Sequence, residues 1–408
     1  MKRLHFFFAI FIIAAALLLL ASCFGNVQER RQWTVSFDTE GGTAVPEQTV
    51  DDGARIQKPE DPTKPGYTFS GWTCFGESWS FLNHVVTENL TLNANWIPNQ
   101  YTISVEGKQV KTVSYGQSYS LSHPQKEGFT FEGYTLNGSP FPSAGEYNEL
   151  GNISLEESWK INVYTATFIA FGKEVGKTTF TVNDKTLTGV PQVKHNGLDV
   201  AWNYTIELRN MTIISDTVYF GQYEQDTWKE GAEPIEWYIL DTKDGNMLLL
   251  SKYGLDNVRY KDKYTAVTWE TSDSRKWLNE TFYDAAFSES EKQKIIYSAV
   301  TADRNPATNA DPGNDTQDNV FLLSLMEVEK YVKDDSIKNC VVTDYAALHK
   351  AHRSAGTKYG WWLTRTPGND QGHVVAVFDI GGYNHLNEVP CEFNVLRPAV
   401  WVKGVSSN

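Results

Sequence analysis

The 408 residues carry 36 Lys and Arg against 50 Asp and Glu, a formal charge of −14, with 41% hydrophobic and 13% aromatic residues. That length and apolar content can fill several cores and exceed one ordinary domain, so a multidomain chain is expected. The acidity argues against nucleic acid as a partner and against a polybasic membrane contact.

At the start, Lys2-Arg3 precede an apolar block from Phe6 to Ala21 and then Ser22-Cys23. Positive charge, a short apolar run and small residues read as a secretory signal, because a spanning helix needs about twenty apolar residues. Leu20-Ala21-Ser22-Cys23 resembles the lipobox of bacterial lipoproteins. The resemblance implies a signal peptide over 1–22, cleavage before Cys23, and a lipid on Cys23 with two or more acyl chains, enough for stable anchoring. Removing Lys2 and Arg3 takes the charge from −14 to −16. Residues 23–32 then form a linker. Of the remaining cysteines, Cys340 and Cys391 can pair in an exported protein, leaving Cys74 odd, or both can be buried free thiols. None sits in a metal or redox motif.

From Trp33 the chain alternates as strands. Thr34 to Asp38 is one, Glu40-Gly41-Gly42-Thr43 turns, and Tyr67-Thr68-Phe69-Ser70-Gly71-Trp72 and Leu90 to Trp96 close a unit over 33–97. Phe37-Asp38, Gly41-Gly42, Pro65-Gly66-Tyr67-Thr68-Phe69, Gly71-Trp72 and Leu90-Thr91-Leu92 resemble the Listeria–Bacteroides repeat, the B repeat of internalins. The resemblance implies a β-grasp-like fold, strung along bacterial surface proteins, with no catalytic residues. A weaker copy spans 98–160, where Glu127 to Tyr134 restates the Gly-Trp box; a third, more degenerate, spans 161–214. Trp72, Trp96, Tyr134 and Trp159 recur as core anchors. Three modules in series make a stalk.

After residue 214 helices appear. Thr271 or Ser272, Ser288 with Glu291, Ser324 with Glu327, and Thr343 mark helix starts, the last running to His352. Strands at 218–223, 235–240, 247–251, 373–379 and 397–402 complete an α+β pattern for 215–408. Phe220-Gly221-Gln222-Tyr223, Ile235-Glu236-Trp237, Ser272, Arg275, Trp277, Asp318, Trp361 to Gly368 and Arg397 to Val402 resemble an uncharacterised bacterial surface domain. That domain is similar to the C-type-lectin-like fold in the branch of the formylglycine-generating enzymes. The cysteine pair those enzymes use near the C-terminus has no counterpart, and the calcium-dependent sugar motifs of lectins are absent.

The candidate ligand-binding residues are Trp361, Arg365, Asn369, Asp370, Gln371, His373, Tyr383, Asn384 and His385. Trp362, Arg397 and Trp401 read as core. Asp311, Asn314, Asp315 and Asp318 supply oxygen ligands for calcium, though turn formation explains the same residues. No catalytic set and no other cofactor is indicated. The expected protein is therefore lipid-anchored to a bacterial membrane, displayed at the cell surface and non-catalytic. Its repeat stalk presents a lectin-like domain to an extracellular protein or glycan. The alternatives are an enzyme on the formylglycine-generating scaffold and a purely structural envelope protein.

Overall fold

The computed structural model describes residues 30–227 and 231–404, so the signal, Cys23 and most of the linker lie outside the described residues. The architecture is β-rich, with several sheets and a few short helices. It divides into two compact units, one ending at Asn162 and one starting at Val163.

The first unit repeats one topology twice. In the first module, Gln32–Asp38 lies between Gln48–Asp51, antiparallel, and Leu90–Pro98, parallel; Tyr67–Cys74 and Glu77–Ser78 extend the sheet beyond Leu90–Pro98. In the second, Gln100–Val105 pairs parallel with Ile153–Ile161 and antiparallel with Lys108–Ser114, and Phe129–Leu136 follows with Ser139–Phe141 at the edge. The Gly-Trp box explains itself physically. Gly71 and Gly133 sit at φ of 135° and 140°, where a side chain is strained, and the ladder shifts register beside them. The shift seats Trp72, 2% exposed, and Tyr134, 4% exposed, in the two cores. Phe69 then meets Trp72 and Trp96 edge-on at 5.4 and 5.5 Å, and Phe131 meets Tyr134 and Trp159 at 5.0 and 5.2 Å. These aromatic pairs do the packing that the repeat spacing predicts.

In the second unit, Tyr164–Ala170 pairs antiparallel with Lys173–Phe180 and parallel with Met211–Ser215. That reproduces the entry and exit strands of a module. The short hairpin Lys194–His195 and Leu198–Val200 does not join them. Instead Leu198–Val200 pairs with Thr217–Tyr223 and begins a six-stranded sheet, continued by Glu233–Lys243, Asn246–Ser251 and Ala399–Val402. One sheet therefore runs across residues 214 and 215, where the sequence suggests a boundary. Buried Glu236 fastens the crossing: its carboxylate accepts from Thr217 Oγ1 at 2.5 Å, Lys252 Nζ at 2.7 Å and Asn203 Nδ2 at 2.7 Å.

Helices start where caps predict. Ser272 accepts from the Arg275 amide, and Ser288 with Glu291 and Ser324 with Glu327 form complete capping boxes. Thr343 caps Asp344–Leu348, but this helix stops well before His352. Lys350 turns to φ of 76°, the His349 ring binds Asp256 at 2.8 Å, and the His352 amide bonds Phe393 O, so the helix does not continue to His352.

Candidate functional site

The stretch from Trp361 to Gly368 is a frame. Arg365, 3% exposed, donates to Leu322 O at 2.8 Å and Thr301 O at 3.2 Å, and ion-pairs with Glu327. Buried and bonded to these partners, it faces the interior and not a ligand, which corrects the sequence expectation. Trp361 packs its ring edge-on against Phe378 at 4.6 Å. Trp362 is fully buried and donates its indole N–H to Lys338 O at 2.9 Å. Arg397 is fully buried with no carboxylate partner among the described residues; it donates to Ser251 O at 2.8 Å and Ile337 O at 2.6 Å and lies 5.0 Å over the Trp362 ring. Burial pushes its guanidinium below the usual range.

The polar candidates separate into two groups. At one end of the sheet Trp362–Pro367, His373–Val377 and Tyr383–Glu388, the loop holding Asn369, Asp370 and Gln371 meets His373 and His385. Buried Asn305 ties this end together: its Nδ2 donates to Pro367 O at 2.9 Å and contacts His385 Nδ1 at 2.9 Å. Asp370 is held below the usual carboxylate range, first by His373 at 2.8 Å and then by the Gly372 amide. Tyr383 pairs with Val377 at the other end, and Asn384, beside His385 in the chain, pairs with Ala376 between them.

The calcium candidates do not converge. Asp318 is fully buried among protein donors, Asp315 accepts from the Ala302 amide, Asn314 donates to Glu270, and Asp311 accepts from the Gly313 amide. Among the described residues the carboxylates with metal-ligand spacing are Glu224, Asp226 and Glu233, with oxygens within 4.8 Å of one another. Cys340 and Cys391 are both free, which corrects the suggested bridge: Cys340 is buried on the strand Cys340–Val342, whereas Cys391 sits in the turn after Tyr383–Glu388. Burial raises the Cys340 thiol, leaving it a poor nucleophile.

A cleft of about 640 Å³ opens elsewhere in the same unit, beside the helix Asp273–Trp277. Its floor is a closed network. Asp318 accepts from Arg275 Nε at 2.7 Å, Trp269 Nε1 at 2.9 Å and Thr316 Oγ1 at 2.6 Å. Asn279 donates to Arg275 O and Val320 O and accepts from the Asn319 and Val320 amides, which locks the helix to the strand Thr316–Asp318. Lys261 pairs with Asp273 at 2.6 Å; burial raises the Asp273 carboxyl, but the lysine and the Asp262 amide outweigh it and hold it below the usual range. Lys276, Glu280, Tyr297, Gln317 and Asn319 line the cleft around this floor, and Tyr297 is 64% exposed. For this site the sequence offers Ser272, Arg275 and Asp318 only as pieces of a family resemblance; that the helix meets a strand over forty residues later has no local cue.

Similarities to known proteins follow this division. Residues 33–95 match the Listeria-Bacteroides repeat domain, and residues 244–404 match a domain of unknown function, DUF6273. A Gly-rich membrane protein of Evansella cellulosilytica is 33% identical over 156 residues, 35% of this chain and 18% of its own length. A second membrane protein of that organism is 28% identical over 269 residues, 59% and 39%. Internalin H of Listeria monocytogenes is 33% identical over 135 residues, 30% and 24%. The chain thus spans less than two-fifths of each relative. Two streptococcal cell-surface domains, SHIRT domains 3-4, align at 16% identity over 32% of this chain and 98% of theirs, with a TM-score of 0.16, too low to support an argument. Among the described residues no helix is long and apolar enough to cross a membrane.

Proposed function

We propose that this chain is a lipid-anchored, non-catalytic recognition protein of the bacterial surface, its β modules carrying a C-type-lectin-like domain that binds a glycan. The observation that carries the reading is the cleft beside Asp273–Trp277, with a self-satisfied floor and a polar lining. A floor whose hydrogen bonds are already made holds the rim in place without competing for a ligand. Tyr297 offers a ring face for a sugar, while Gln317, Asn319 and Glu280 offer donors and acceptors for hydroxyls. The paired charges of Lys261 with Asp273 and Arg275 with Asp318 cancel, which suits a neutral ligand better than a highly charged one. The names of three relatives, an internalin and two membrane proteins, support display at the surface.

The test is an array of glycans and extracellular proteins probed with the mature chain. Glycan binding that falls at least about tenfold, roughly 1.4 kcal/mol, in Tyr297→Ala and Gln317→Ala is the expected result. Binding that survives both substitutions, or an array in which only proteins bind, overturns the glycan site. Lipid labelling of wild type but not of Cys23→Ala tests the anchor.

A further inference from the structure

One turn of the first module differs from its counterpart in the second. The hairpin from Tyr67–Cys74 to Glu77–Ser78 turns through Phe75 at φ of 50° and Gly76 at 87°. At the same place the second module has Asn137 at 52° and Gly138 at 78°, the residue pair such turns favour. An aromatic side chain resists this left-handed conformation and gains nothing by exposure, yet Phe75 is 92% exposed. The same chain shows how a phenylalanine is tolerated there. Phe171, at φ of 48° before Gly172, is covered by the His195 ring at 3.9 Å. Phe75 has no such cover among the described residues.

Its surroundings continue the pattern. Leu82 is 81% exposed and Val85 44%. A shallow depression of about 450 Å³ is lined by Phe75, Trp79, Val85 and Leu90, with Glu77 and Glu88 among its charged residues. The Trp79 indole N–H is buried and has no acceptor among the described residues. Exposed apolar side chains beside polar and charged ones suit the boundary between hydrocarbon and headgroups. The tether places such a boundary within reach: Gln32 opens the first strand nine residues after Cys23, a span of at most about 30 Å when fully extended. The second module, further along the chain, has Asn137 where the first has Phe75.

We propose that the first module rests on the lipid bilayer and dips Phe75 and Leu82 into its interfacial layer. This contact rests on the lipid anchor at Cys23. Glu77 and Glu88 favour neutral over anionic headgroups at the patch.

The experiment places the photo-cross-linking residue p-benzoylphenylalanine at position 75, 82 or 137 of the full chain in cells. Phospholipid adducts at 75 and 82 and none at 137 are expected. An adduct to another protein, a cross-linked pair of this chain, or no adduct at 75 and 82 overturns the proposal. Labelled fatty acid in the same cells reads the anchor separately: an unlabelled chain means the anchor reading has failed, and a labelled chain without the adduct means the patch has failed. Phe75→Asn, which installs the residue of the second module, guards against misfolding. In the mature chain without lipid, binding to phosphatidylcholine vesicles should fall at least about fivefold while the melting temperature holds or rises. Unchanged vesicle binding overturns the contact.

Discussion

The first two modules and the third use similar entry and exit strands but differ in where their box hairpin goes. In the first, Tyr67–Cys74 pairs with the module's own Leu90–Pro98 around a buried Trp72; in the second, Phe129–Leu136 pairs with Ile153–Ile161 around Tyr134. In the third, where the Gly-Trp box is lost, Leu198–Val200 pairs with Thr217–Tyr223 and joins the sheet of the C-terminal domain. The difference teaches that a repeat keeps its sheet to itself only while its own aromatic box closes it. Once that box is lost, neighbouring strands complete the sheet and the boundary dissolves.

The sharpest way to break this contrast is Trp72→Ala. It removes the anchor of the first core and should cost about 3–5 kcal/mol, lowering the calorimetric transition of the first unit and leaving that of the second unit unmoved. Glu236→Ala attacks the opposite case. Leaving Thr217, Lys252 and Asn203 without their shared acceptor should cost about 2–3 kcal/mol, and hydrogen exchange should rise together in 164–215 and 217–251. Protection lost on only one side of residue 216 would show the two are uncoupled. Gly71→Ala places a side chain at φ of 135° and should destabilise the first module by about 1–2 kcal/mol, with the other transitions unmoved. The smallest effect is on pH dependence. Burial raises the Glu291 carboxyl, but bonds from Ser288 and the Gly221 amide outweigh it and leave it below the usual 4.5. Its folded value is depressed, so its stabilisation is present above 4.5 and fades as pH falls through the folded value. Glu291→Gln should flatten the acid limb of the second unit's melting curve and leave the first unit's unchanged.

Local signals were legible and distant ones were not. Ser288 with Glu291 and Ser324 with Glu327 were readable because a capping box is complete within four residues. The first module was readable because its glycines and aromatics follow a fixed spacing. Arg365 misled because an arginine among tryptophans looks the same in sequence whether it faces solvent or the interior. Its partners, Thr301, Leu322 and Glu327, are supplied by other elements. The cleft was hidden for the same reason: Asn279 and Asp318 acquire their meaning only when two distant segments meet.

The parallel pairing within each module also has a mechanical consequence. Because Gln32–Asp38 runs alongside Leu90–Pro98 in the same direction, the chain enters at one end of the pair and leaves at the other. A pull applied through the chain therefore slides the strands along each other and loads the rungs of their ladder together, where an antiparallel pair pulled from adjacent ends would unzip one rung at a time. The same holds for Gln100–Val105 with Ile153–Ile161 and for Tyr164–Ala170 with Met211–Ser215. Each module is thus wired to bear traction lengthwise.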